Sequence, residues 1–247
     1  MIIETKLKTQ KLKKQFAQNG IITTSEVVDF YKKFDPEIPR TTVNWRVYQL
    51  VKQGVLDRVG KGKFKMGKSK IYQPDLTNKL FKINKSIQIN FPFITYCLWQ
   101  QQWINEFSQH IAKTDVVLIE VERDIAESVY LFLKDSFTSV FYKPGKEMLQ
   151  NYILGLDAVI LVKPLVSEAP IQVVRGVSTV SIEKLLVDVY SDIEFEYARG
   201  QETIHIFENA FSLYSINQAK LLRYADRKNK KQEVKEIIRN HNLSESI

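Results

Sequence analysis

The chain has 247 residues, 44% of them hydrophobic and 26% charged, a composition that carries a real core and excludes intrinsic disorder for its bulk. Its single cysteine, Cys97, excludes a disulfide framework and a cysteine-built zinc site. Three scattered histidines (His110, His205, His241) do not suggest a metal centre, and no apolar run reaches the ~18 residues that span a bilayer.

The net charge of +8 is unevenly placed. Residues 1–90 carry 19 basic and 7 acidic side chains, residues 91–222 carry 10 and 17, and residues 223–247 carry 7 and 4. A basic N-terminal third before an acidic middle is the footprint of a nucleic-acid-binding module joined to something else. Residues 1–14 have no apolar block after their charges, so no secretory leader is expected and a reducing cytoplasm is the expected location.

Residues 6–19 predict a short helix with Leu7, Leu12 and Phe16 inward, stopped at Asn19-Gly20. Thr23 and Glu26 have the spacing of a capping box. The helix they open carries Val27, Val28, Tyr31 and Phe34 and ends before Pro36. A third helix begins near Pro39 to Thr41, with Val43, Val47, Leu50 and Val51 as a buried stripe, and Gln53-Gly54 closes it.

The period then changes to two. Val55 to Val59 predicts a strand, Gly60-Lys61-Gly62 a turn and Lys63 to Met66 the returning strand. Three helices and a hairpin with a Lys/Gly tip are the winged helix-turn-helix layout, in which the third helix enters the major groove and the wing lies along the backbone. The expected DNA contacts are Arg40, Thr41, Thr42, Asn44, Arg46 and Tyr48 on the third helix, and Lys61, Lys63 and Lys65 on the wing.

Residues Gly62 to Ser69 satisfy the phosphate-loop pattern G-x-x-x-x-G-K-[ST]. That loop needs a helix behind it to hold a phosphate. Here Lys and large apolar residues alternate and no amphipathic helix follows, so nucleotide binding is not expected and the segment reads as the second wing strand and its exit.

The division expected is a winged-helix domain over 1–70, a connector over 71–90 and an α/β domain with a basic helical tail over 91–247. In the last, residues 94–112 predict a strand entering a helix and Val116 to Val121 a buried strand. Asp124 to Lys134 predicts a helix, Thr138 to Tyr142 a strand, and Pro144-Gly145 opens a helix to about Leu154. Ala158 to Val162 and Ile171 to Val174 predict strands, Ser181 caps a helix over Ile182 to Tyr190, residues 202–224 predict one or two helices, and the tail from Arg223 is basic and then frays over residues 243–247. The fold class is α/β (α+β), a sheet covered by helices. The acids Asp115, Glu120, Glu122 and Asp124 raise the alternative of a metal-dependent nuclease, since carboxylates at i and i+2 share a strand face. No E-x-K core, nucleophile constellation or catalytic residue is evident, so these acids read as structural or interface charges.

Several stretches, in order, resemble the AbiEi family of antitoxins from type IV toxin–antitoxin systems: Val116 to Asp124, Ser167 to Pro170, Ser178 to Tyr190, Ile206 to Ala210, Tyr214 to Asn217 and Leu222 to Ala225. The sequence departs from the family at Asp226-Arg227, where paired basic residues are usual. The resemblance implies a protein without enzymatic activity or cofactor. Its winged helix would bind double-stranded operator DNA and repress its own operon. Its C-terminal domain would counter a nucleotidyltransferase-like toxin, with no stable complex required. A ligand-responsive regulator without a toxin is the other alternative.

Overall fold

In the computed structural model, residues 6–67, 70–111, 115–153 and 155–243 are described. The first unit runs α1 (Thr9–Phe16), β1 (Ile22–Thr23), α2 (Thr24–Lys32), α3 (Arg40–Lys52), β2 (Leu56–Gly60) and β3 (Lys63–Met66). The expected capping box opens α2: the Thr23 hydroxyl accepts from Glu26 N, and the Glu26 carboxylate accepts from Thr23 N. Val27, Phe30 and Tyr31 form the buried face of α2, while Phe34, expected inward, lies past the helix end and is exposed. Val43, Val47 and Leu50 bury one side of α3.

β3 pairs antiparallel with both β2 and β1, so the sheet order is β1-β3-β2. Gly62 takes a left-handed φ of +67° at the hairpin tip, and its carbonyl accepts from Thr24 N. The tip is thereby pinned to the start of α2. Residues 63–66 of the phosphate-loop pattern are this strand; Lys68 and Ser69 lie outside the described residues.

The second unit is a six-stranded mixed sheet between two helical layers. It begins with α4 (Asn78–Asn90), then β4 (Tyr96–Gln100), β5 (Asp115–Val121), α5 (Ala126–Ser136), β6 (Val140–Tyr142) and β7 (Ala158–Pro164). The hairpin of β8 (Ile171–Val174) and β9 (Val177–Val180) follows, then α6 (Ile182–Ser191), α7 (Gln201–Leu213), α8 (Gln218–Arg227) and α9 (Lys231–Asn240). The order β6-β7-β5-β4-β9-β8 puts the apolar run Val116 to Val121 near the centre, parallel to β7 and antiparallel to β4.

Alternation along the strands feeds two cores. Cys97, Trp99, Val116, Leu118, Val159 and Leu161 face a layer containing α6 to α9, whereas Leu98, Val117, Ile119, Ile160 and Val162 face α4 and α5.

Several expectations change. Residues 71–90 are not only a connector: Leu80, Ile83 and Ile87 of α4 are buried on the sheet, and Thr77 caps the helix by accepting from Leu80 N. The residues after β4 wind into a 3-10 segment, Gln101–Glu106, rather than an α-helix. The stretch after Gly145 makes one turn, Lys146–Met148, and then a π-helical segment, Leu149–Ile153. The basic tail is helical and Val234 and Ile238 of α9 are buried in the main core; Leu243, the first of the residues expected to fray, is also buried, and residues 244–247 lie outside the described set. Ser181 precedes α6 without capping it, since its hydroxyl donates to Glu183. No helix among the described residues is long and apolar enough to cross a membrane.

Candidate nucleic-acid interface

On α3 the buried stripe leaves the opposite side to solvent. Arg40, Thr41, Asn44, Trp45, Tyr48 and Lys52 are all exposed, and the helical repeat joins them into one band along the helix. Trp45 is 44% and Tyr48 61% exposed, unusual for rings of this size. None of the side chains of Arg40, Thr41, Asn44 and Tyr48 hydrogen-bonds another described residue. Thr42 is half-buried at the first turn, where its N–H donates to Pro39 O.

Arg46 sits differently. Its guanidinium lies 4.6 Å over the Tyr31 ring, on the flank of α3. Burial pushes the Tyr31 phenol up to about 12, against the opposing pull of Arg46. Arg46 therefore packs the unit together as well as presenting charge.

The wing lysines separate into two kinds. Lys61 and Lys63 are exposed at the tip, as expected from their strand spacing. Lys65 is half-buried and stands opposite Asp57 in the β2–β3 register, so it is not a free phosphate ligand. Tyr48 lies in the C-terminal half of α3, exposed on the same band and at the edge of a cleft where the two units meet.

The strand acids do not assemble a common site. Glu120 is buried and accepts from Trp99 Nε1 at 2.9 Å and Lys184 Nζ at 2.6 Å. Glu122 is exposed beyond the end of β5 and accepts from Thr95 N; the Thr95 side chain and then its N–H hold the Glu122 carboxyl below the usual range. Asp115 pairs with Lys79 at 2.8 Å and accepts from Gln100. Among the described residues no three His, Cys, Asp or Glu side chains gather as a metal site requires.

From Glu120 a chain of alternating charges runs through Lys184, Asp188, Lys228, Asp192 and Lys163 to Glu194. Burial alone would lower the Lys184 ammonium, but Asp188 and Glu120 hold it well above the ordinary lysine range. Burial pushes the Cys97 thiol beside this chain far up, so it is neither a nucleophile nor a thiolate ligand at neutral pH. The Glu183-Lys184 start of α6 is thus interior and not a surface.

Reasoning from sequence gave Trp45 no contact role, because a Trp there packs equally well beneath a wing; only its exposure decides. No curated protein is similar enough to the chain to count as a relative. A family model described as a family of unknown function, DUF6577, matches residues 42–244, from the first turn of α3 through α9. The match takes in α3 and the hairpin of the first unit and all of the second, well over half of the chain, and the chain belongs to that family.

Proposed function

We propose that the protein is a DNA-binding transcriptional regulator whose first unit works as a winged helix. The observation that carries this reading is the solvent-facing band of α3. It holds short polar groups, an arginine and two aromatic rings, without internal hydrogen-bond partners, beside the exposed lysines of a pinned hairpin tip. Such a band has the width and chemistry to enter a major groove, with Thr41, Thr42 and Asn44 at base edges and Arg40, Lys61 and Lys63 at phosphates. The +12 charge of residues 1–90 supports it.

The resemblance to AbiEi antitoxins supports a fuller form of the proposal. In it the protein acts in the cytoplasm, without catalysis, as repressor of its own operon and as antitoxin to a nucleotidyltransferase-like toxin.

The test is fluorescence anisotropy of the full chain on its own upstream DNA and on a shuffled duplex at two salt concentrations. Selective binding that disappears in the Arg40→Ala, Thr42→Ala, Asn44→Ala triple variant, with the melting curve retained, is the expected result. Equal, weak binding to both duplexes would sink the regulator reading. The antitoxin half is tested by co-expression with the neighbouring gene, and failure to rescue growth would overturn it alone.

A further inference from the structure

Tyr48, at the end of the exposed band of α3, looks into a cleft of about 320 Å³ between the two units. Its walls include Tyr48 and Val51 of α3, Arg58 of β2, and Asn217, Lys220 and Arg223 at the start of α8. Three cations from two distant parts of the chain therefore converge on one opening, and among the described residues no acid lines it.

Their engagement differs. The Arg58 guanidinium rests 5.3 Å over the Phe64 ring, which orients it without neutralising it. Lys220 Nζ is 3.4 Å from a Glu183 oxygen behind it. Arg223 is exposed and makes no hydrogen bond or ion pair with another described residue. Tyr48 adds a hydroxyl that hydrogen-bonds no other described residue.

The cleft is also preformed. Ser215, two residues before Asn217, donates its hydroxyl to Gly54 O at 3.0 Å, and its N–H donates to Lys70 O at 2.9 Å. Gly54 itself touches Ile71 and Ser215 so closely that a Cβ would sit 2.8 Å from Ile71 Cδ1. The seat fixes α8 against β2 with little play.

We infer that this junction is a phosphodiester-binding cleft, through which the C-terminal domain grips the backbone of the duplex that α3 contacts. Arginine and lysine side chains only donate, and a guanidinium fork matches two phosphate oxygens. Inorganic phosphate shares that chemistry. A polynucleotide is favoured because the cleft is open and continuous with the α3 band through Tyr48. This inference rests on the DNA-binding reading above. It adds that the second unit belongs to the interface.

The experiment uses the full chain with Arg223→Ala and with Lys220→Ala, Arg223→Ala, each checked by thermal melting. Affinity for the upstream and the shuffled duplex is measured across a salt series. The double variant is expected to lose affinity for both duplexes alike. The slope of log K against log salt should fall by about two, roughly one per lost phosphate contact. Unchanged slope and affinity in both variants, while the triple variant of α3 still loses selective binding, would overturn the cleft and leave the regulator standing. Titration with inorganic phosphate separates the sources: binding that depends on Arg223 in a protein that ignores duplex DNA would assign the cleft to a free phosphate compound and overturn the inference. No DNA binding and no phosphate binding by the unaltered protein would overturn it together with the regulator reading.

Discussion

Lys184 and Glu120 meet in the centre of the second unit, the lysine's ammonium donating to the glutamate's carboxylate at 2.6 Å with both side chains almost fully out of solvent. One comes from a strand and the other from a helix, and the sheet alone brings them together. Trp99 Nε1 donates to the same carboxylate, and Tyr224 donates to Asp188, the second acid on Lys184. The ions thus have the additional hydrogen bonds that a buried pair requires.

Replacing Lys184 by Met should therefore destabilise the protein by about 3–5 kcal/mol, since Glu120 would be left buried without its counter-ion and Asp188 would keep only Lys228. Adding Glu120→Gln to Lys184→Met should recover part of that loss, because the stranded charge is then removed. Urea unfolding of the two variants beside the unaltered chain measures both effects. A loss below about 1 kcal/mol in the single variant would mean that water reaches the site and the chain of charges is not sealed.

Gly67 and Gly54 approach closely within the first unit: a Cβ on Gly67 would lie 2.3 Å from the Gly54 carbonyl oxygen. Backbone cannot rotate aside as a side chain does. Gly67→Ala is expected to cost about 3 kcal/mol or more by forcing β3 away from the turn after α3. Gly20→Ala meets nothing within 4 Å and should stay within about 0.5 kcal/mol of the unaltered protein. The pair of denaturation curves decides whether the end of β3 lies as close to the turn after α3 as described.

Features written within a few residues were legible in the sequence. Thr23 with Glu26, the Val43–Val47–Leu50 stripe and the Gly-Lys-Gly turn each depend on neighbours along the chain, and each forms where expected. The β8–β9 hairpin was half legible. Its turn, Arg175-Gly176, takes positive φ at both residues (+47° and +80°), and an arginine does not announce that conformation as Asn would. α4 and α9 are mostly polar, with two or three buried apolar residues each, so their faces are defined only by the sheet or core they meet. The acids of β5 suggested a shared face, but Glu120 is 64 residues from the lysine that holds it. The cleft beside Tyr48 was not legible for the same reason, as Arg58 and Arg223 become neighbours only through the Gly54–Ser215 seat.

Arg46 separates packing from binding within α3. Arg46→Ala should lower stability by about 1 kcal/mol through loss of the contact with the Tyr31 ring, whether or not DNA is present. Thr41→Ala and Asn44→Ala lie on the exposed band and should leave stability within about 0.5 kcal/mol. Thermal melting of the three variants without DNA makes the comparison. Equal, negligible shifts would return Arg46 to the class of pure surface cations.

Glu202, at the start of α7, gathers the loop over Ser108 to His110. Its carboxylate accepts from Gln109 N at 2.7 Å, His110 N at 3.1 Å and the Ser108 hydroxyl, and lies 2.8 Å from His110 Nδ1. Burial would raise its pKa, but the Ser108 and His110 hydrogen bonds and the Gln109 N–H outweigh burial and bring it down to about 2, from 4.5. Because the folded value lies below the unfolded one, the stabilisation is complete above about pH 4.5, declines as pH falls and is lost once pH passes below about 2. Glu202→Gln should cost about 2 kcal/mol at neutral pH, since its amide turns an NH₂ toward groups that already donate. The gap between the two proteins should be constant from pH 8 to 6 and narrow steadily below pH 4.5. Urea unfolding at pH 7, 4.5 and 3 follows it, and a gap that stays the same at all three would show that the loop is held by the shape of the side chain and not by its charge.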